Sequence, residues 1–117
     1  MIYPITPCPA PRQTQSDRWK KRPCVLRYRA FRDHVKALKL EVNSGDWIIF
    51  YIEMPKSWSK KKRASMLNAP HQQKPDVDNL CKSLIDSIYD DDAHIHDLRI
   101  TKLWATAGGI EIRKNSL

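Results

Sequence analysis

Apolar residues follow distinct patterns along this chain, and each pattern predicts an element of structure. From Val25 to Leu40 they recur every three or four residues, which predicts an amphipathic helix. Residues 47–54 are almost continuously apolar and rich in β-branched and aromatic side chains, which predicts a central strand. The helical pattern returns from Asp78 to Tyr89, and we expect Asp78 or Val77 to cap this second helix.

The other segments predict shorter elements. Residues 2–6 are expected to form an edge strand limited by prolines, and residues 7–24 an irregular basic loop. A long, polar and basic connection spans residues 55–75 and leaves room for a short helix over residues 59–67. At 117 residues, the chain is expected to form one domain over residues 1–117.

The C-terminal part predicts two strands joined by a tight turn. One strand is expected over residues 95–107 and the other over residues 110–114. Gly108 and Gly109 between them predict a two-residue hairpin. We expect residues 110–114, like residues 2–6, to lie at an edge of the sheet.

The charge balance points to a nucleic-acid partner. The chain carries 21 Lys and Arg against 13 Asp and Glu, a formal net charge of +8. Its basic residues cluster in two regions that also hold aromatic side chains, a composition suited to a phosphate backbone. The residues that we expect to contact nucleic acid are Arg18, Lys20, Lys21, Lys56, Lys60, Lys61, Lys62, Arg63 and Lys74. A solvated charged surface is the alternative interpretation of either region.

Several other classes of protein are disfavoured. The three cysteines are widely spaced, without a Cys-x-x-Cys pair, which fits neither a disulfide framework nor a zinc site. No apolar run approaches the roughly 20 residues that span a bilayer. The N-terminus also lacks the features of a signal peptide. We therefore expect a cytoplasmic protein without a membrane partner.

Acidic residues are concentrated in two short clusters despite the basic composition. Asp76 and Asp78 form an Asp-x-Asp pair, and Asp90, Asp91 and Asp92 follow the second helix. Carboxylates gathered in one place repel each other unless a hard divalent cation neutralises them. Three helical turns of about 18 Å separate the two clusters, so they can meet only if the chain doubles back or a partner contributes.

Neighbouring residues have two interpretations each. Lys82 stands one turn after Asp78, where it could form a structural ion pair or stabilise charge developing on a phosphate. Trp58 could stack on an unpaired base or pack against the core. We assign no role to His71, and we expect His94 and His96 to share an exposed face of a strand.

The combined motif resembles the RusA family of Holliday-junction resolvases, small endodeoxyribonucleases often encoded by phages or prophages. The resemblance covers residues 46–114. It rests on the run Asp76-Val77-Asp78-Asn79-Leu80-Cys81-Lys82, a helix, and then Asp91-Asp92-Ala93-His94-Ile95. The resemblance implies a small α/β (α+β) fold, in which helices pack on a mixed sheet.

The resemblance also implies a set of functional residues. Asp76, Asp78, Lys82 and Asp92 correspond to the catalytic residues of the family. Asp76, Asp78, Asp91 and Asp92 would hold Mg²⁺, for which Mn²⁺ could substitute. A homodimer with two active sites would then make paired nicks in branched DNA, a four-way junction.

Two other functions remain open at this point. A non-enzymatic nucleic-acid-binding module could use the acidic cluster structurally. A metal-dependent nucleotidyl or sugar transferase could use Asp-x-Asp, but the chain lacks a glycine-rich phosphate loop.

Overall fold

The computed structural model describes residues 2–11 and 23–114, which form four strands and three helices. In chain order these are β1 (Ile2–Tyr3), α1 (Pro23–Ala37), β2 (Trp47–Glu53), α2 (Lys60–Met66), α3 (Val77–Ile88), β3 (Arg99–Ala105) and β4 (Gly109–Arg113). The DNA contacts predicted at Arg18, Lys20 and Lys21 lie outside the described residues. None of the helices in the described ranges is long and apolar enough to cross a membrane.

The strands form one mixed sheet in the order β1-β4-β2-β3. β2 pairs with β3 in parallel and with β4 in antiparallel orientation, which confirms both its central position and the α+β class. A parallel pair needs a crossover connection, and here α2 and α3 lie in the segment between β2 and β3.

The core lies between α1, α3 and one face of the sheet. Ile48 and Phe50 of β2 are completely buried, and they join the apolar stripes of both helices in one cluster. The helical and central-strand members of this cluster are Phe31, Val35, Ile48, Phe50, Leu80, Leu84 and Ile85. The predicted amphipathic helices and the strand are therefore confirmed, with α1 ending at Ala37 rather than at residue 40.

The predicted hairpin about Gly108 and Gly109 is wrong. β3 and β4 flank β2 on opposite sides, so residues 106–108 pass the end of β2 and Gly109 already belongs to β4. Gly108 is required for a close approach instead. A Cβ there would lie 2.9 Å from the Thr6 hydroxyl and 3.0 Å from the Thr6 Cα.

One edge of the sheet is β1, which confirms the edge strand predicted in residues 2–6, whereas the other edge differs from the prediction. β4 lies inside the sheet, between β1 and β2, so residues 110–114 are not an edge. β3 is the edge strand on the far side, and residues 68–71 cover part of it. In that segment the amides of Asn68 and His71 donate to β3 carbonyls, and the Trp104 amide donates to the Ala69 carbonyl.

The long connection predicted over residues 55–75 is confirmed as mostly irregular, with the short helix α2 inside it. Ser59 caps α2 by accepting a hydrogen bond from the Lys62 amide at 3.1 Å. The Arg63 guanidinium donates to the carbonyl of Pro55, which ties this helix to the end of β2. The connection is therefore tied near the end of β2 through Pro55 and to β3 through residues 68–71.

Candidate functional site

α3 begins one residue earlier than predicted, and this changes the position of the first carboxylate. Asp76, rather than Val77 or Asp78, is the N-cap, and its side chain makes no capping hydrogen bond. The carboxylate instead faces the Lys74 ammonium at 3.8 Å, and both side chains are exposed. Asp78 lies in the first turn, where the helix dipole favours a negative charge.

After α3 the chain doubles back along the helix, as the acidic motif required. The amide of Ala93 donates to the Asp91 carboxylate at 2.9 Å, and the amide of Ile95 donates to the Asp92 carbonyl. The ring of His94 then meets the ring of Tyr89 edge-on, with centroids 4.8 Å apart. These contacts turn the segment that follows α3 back toward the beginning of the helix.

Ser44 fastens the returning segment to the turn before β2. Its hydroxyl donates to the carbonyl of His94 and accepts from the amide of His96. His94 and His96 therefore lie in the turn that precedes β3, not on a strand as predicted. His94 stabilises the returning segment through its ring contact with Tyr89 and through its backbone carbonyl, which accepts from Ser44.

Asp78, Lys82 and Asp92 consequently line one open cleft of about 450 Å³. Its floor is apolar and is formed by Ile85 of α3 together with residues on the returning segment and β3. The predicted residues Asp76 and Asp91 do not line this cleft. Within the described part of the chain, no group of three or more His, Cys, Asp or Glu side chains forms a preassembled metal site.

Cys81 also lines the cleft, although the sequence assigned it no role. Burial raises the pKa of this thiol, and the negative charges of Asp92, Asp78 and Asp86 raise it further. Asp78 and Asp92, one from each acidic cluster, line the same cleft as this thiol.

Lys82 reaches Asp86 rather than Asp78. The two charged groups of this pair are 3.8 Å apart, one turn along α3, and the Lys82 side chain is 71% exposed. Exposed pairs of this kind contribute little to stability. Because the Lys82 side chain is mostly exposed and lines the cleft, its ammonium is accessible from there.

Asn79, within the same motif, binds the N-terminal segment instead of facing the cleft. Its amide donates to the carbonyl of Ala10 at 3.4 Å, and Ser83 one turn later donates to the carbonyl of Cys8. These two residues hold residues 8–10 against α3.

Apart from Lys74, which lies beside Asp76, the predicted DNA contacts that the structure describes lie around α2. Lys56, Lys60, Lys61 and Lys62 are exposed, whereas Arg63 is half-buried by its contact with Pro55. Trp58 packs on Trp104, with ring centroids 4.8 Å apart, and the Lys62 ammonium lies 4.3 Å from the Trp58 centroid. Trp58 is therefore a packing residue that joins α2 to β3.

Trp104 also packs on His71, which is only 5% exposed. Burial lowers the pKa of the His71 imidazole, and the positive charge of Lys102 lowers it further. Among the residues that the structure describes, none forms a hydrogen bond with the buried ring nitrogen Nδ1 of His71. His71 thus belongs to the stack of aromatic rings that supports α2.

Comparison with known protein families decides the class of protein. A family model described as Endodeoxyribonuclease RusA matches residues 4–114 of the 117-residue chain. The chain belongs to this family. The match extends the resemblance seen over residues 46–114 into the N-terminal third. No curated protein matches the chain significantly.

Membership of the RusA family makes the chain an endodeoxyribonuclease of a kind associated with Holliday junctions. It favours an enzyme over the non-enzymatic binding module and over the transferase. The cleft between α3 and the returning segment is where the family motif brings its separated carboxylates together.

Proposed function

We propose that this protein is a Mg²⁺-dependent, structure-specific endodeoxyribonuclease that resolves four-way DNA junctions by paired phosphodiester hydrolysis. The observation that carries the proposal is the convergence of Asp78, Lys82 and Asp92 on one cleft in a member of an endodeoxyribonuclease family. The protein would act on DNA in the cytoplasm.

The donor set of the cleft fits Mg²⁺. In nucleic-acid enzymes this ion is commonly bound by one or two carboxylates, with water and substrate phosphate completing its shell. Asp78 of α3 and Asp92 of the returning segment supply two carboxylates that line the cleft, with Asp76 and Asp91 close to them in the chain. A bound Mg²⁺, or Mn²⁺ in its place, would polarise the scissile phosphate and lower the pKa of the attacking water.

The cationic residues divide into two roles in this proposal. Lys82 stands in the cleft, where its ammonium would neutralise charge that develops on the phosphate oxygens. The exposed residues of α2, with Lys56 and Lys74, would bind the junction arms through their phosphates. Arg18, Lys20 and Lys21 are proposed for the same role.

A homodimer is part of the proposal, since paired cuts require two active sites on a two-fold symmetric substrate. The expected edge at residues 110–114 does not support it, because β4 lies inside the sheet. The reasoning therefore rests on the symmetry of the junction. Sedimentation at micromolar concentration should give about twice 13.7 kDa, whereas a monomer that cuts at a constant rate per chain on dilution would contradict the dimer.

The decisive assay compares a mobile four-way junction with a linear duplex of the same sequence, with and without Mg²⁺. We expect symmetric nicks in the junction, little cutting of the duplex and no cutting in EDTA. Junction binding without cleavage in Mg²⁺ or Mn²⁺ would favour the non-enzymatic module instead.

A further inference from the structure

Lys102 occupies an unusual position for a lysine. It lies on the edge strand β3, in register with the fully buried Phe50 of β2. Its neighbours at alternate positions are Ile100 and Trp104, which are respectively half-buried and buried. Side chains at alternate positions of a strand share one face, so the side chain of Lys102 leaves the strand on the face of the sheet that carries the core.

The ammonium of Lys102 ends on the backbone that leads into the acidic motif. It donates to the carbonyl of Gln73 at 2.8 Å and to the carbonyl of Pro75 at 2.7 Å. In the described ranges no other hydrogen bond reaches these two carbonyls. Both bonds are charge-assisted and short, and Pro75 is followed directly by Asp76.

Lys102 also binds the beginning of the segment 71–75 through its backbone. The carbonyl of Lys102 accepts a hydrogen bond from the His71 amide at 3.1 Å. Lys102 therefore fixes the chain at residue 71 with its carbonyl and at residues 73 and 75 with its side chain. Only the N-cap residue, Asp76, separates Pro75 from the first residue of α3.

We propose that Lys102 is a positioning residue of the nuclease site, which sets the start of α3 and thereby the placement of Asp76 and Asp78. The inference rests on the proposed function, and it adds a residue outside the acidic motif. Small displacements of reacting groups are costly, since a shift of about 1 Å can reduce a rate about a hundredfold.

The test compares Lys102→Met with Lys114→Met. Lys114 is the control, because its ammonium also makes two contacts, with the carbonyl of Glu41 at 2.6 Å and the carboxylate of Asp46 at 3.1 Å, and it lies outside the cleft. Both substitutions remove one positive charge and the two contacts that the ammonium makes. We expect Lys102→Met to lower kcat on the junction by about 10- to 100-fold, while Kd for the junction in EDTA changes equally in both variants. Lys102→Arg, which keeps the charge and the donors, should regain part of the lost rate.

A second readout does not depend on cleavage. The Leu80 amide donates to the Asp76 carbonyl at 3.1 Å, so its hydrogen exchange reports the order of the first turn of α3. Exchange at Leu80 should be faster in Lys102→Met than in the wild type, and unchanged in Lys114→Met. If Lys102→Met does not fold, Lys102→Gln takes its place, since the neutral amide is one atom shorter than the ammonium side chain and cannot reproduce its two charge-assisted bonds.

The outcomes separate the two proposals. A wild type that cuts no junction overturns the proposed function, and the exchange measurement then still tests the tie to α3. Cleavage and Leu80 exchange in Lys102→Met that match those of Lys114→Met would overturn the role of Lys102. A weaker Kd with unchanged kcat would also overturn it, because Lys102 would then be a phosphate contact.

Discussion

Asp92 and Asp78 line one cleft, although nearly all of α3 lies between them in the chain. The relationship depends on a turn stabilised by backbone and ring contacts, from the Asx-type bond at Asp91 to the edge-on rings of Tyr89 and His94. A carboxylate from each of the two acidic clusters thereby reaches a common site within one chain, without a residue from a partner.

The thiol of Cys81 should report the electrostatics of this cleft. Because burial and the neighbouring carboxylates raise its pKa, its alkylation should follow pH with a midpoint above the ordinary value of about 8.5. Asp92→Asn removes one of the negative charges and should speed alkylation at pH 8 by roughly threefold. Peptide mass spectrometry of iodoacetamide-treated protein measures the rate at Cys81 separately from the other cysteines. Asp90→Asn is the matched control, and equal rates in the two variants would place Asp92 away from the cleft.

The exposed lysines of α2 should contribute to the salt dependence of junction binding. If Lys60 and Lys61 each neutralise a phosphate, replacing both with Ala should reduce the slope of log affinity against log salt by about 1 to 2. Fluorescence anisotropy in EDTA measures binding without cleavage. The control replaces Lys36 and Lys39 with Ala, which removes the same charge from the region of α1. The same change in slope for both pairs would mean that α2 has no special part in binding.

Trp58 should matter for the position of α2 rather than for base stacking. Trp58→Ala removes the contact with Trp104 and the platform under Lys62, so we expect the free energy of unfolding to fall by about 2 kcal/mol. Urea denaturation measures this change. Trp58→Phe keeps an aromatic ring on Trp104 and should retain most of the stability. Full stability in Trp58→Ala, accompanied by weaker binding to unpaired DNA, would instead favour stacking on a base.

Much of the fold follows from the sequence because one-sided apolar patterns determine which faces are buried. The stripes of α1 and α3 and the apolar run of β2 were predicted, and all three meet in the core. The order of the strands could not be predicted from the sequence, because Gly108-Gly109 has the composition of a hairpin whether or not the flanking strands pair. The position of β4 depends on long-range pairing with β2 and β1, which local composition does not encode.

The motif predicted Asp78, Lys82 and Asp92, whereas the residues around them depended on tertiary structure. Lys102 and Cys81 were missed because they belong to no acidic or basic cluster. A signal for Lys102 does exist in the alternation of β3, where a lysine stands between Ile100 and Trp104 on the face that the core requires to be apolar. The N-cap was misplaced by one or two residues, because Asp76 and Asp78 are both acceptable caps by composition.

His71 should make stability depend on pH below neutrality. Its pKa is lowered in the folded protein, so the unfolded chain binds a proton first and stability is lost as pH falls through about 6.5 toward the folded pKa. His71→Phe removes both the titration and the unpartnered Nδ1, so it should be at least as stable at pH 7 and lose less stability by pH 5. Urea unfolding at both pH values measures this. His94→Phe is the control, since His94 is exposed, and an equal loss of stability in the wild type and His71→Phe would contradict the account.

The central claim is that Asp78 and Asp92 act together in phosphodiester hydrolysis, and single-turnover cleavage of a four-way junction in Mg²⁺ tests it most directly. Asp78→Asn and Asp92→Asn should each slow cleavage by about a hundredfold or more, because charge stabilisation worth several kcal/mol is lost and about 1.4 kcal/mol corresponds to tenfold. Junction binding should stay as tight or become tighter, since a negative charge is removed from a phosphate-facing site. Asp90→Asn, with the same change of charge outside the cleft, should cut at the wild-type rate. Wild-type cleavage by Asp78→Asn or by Asp92→Asn would contradict the claim.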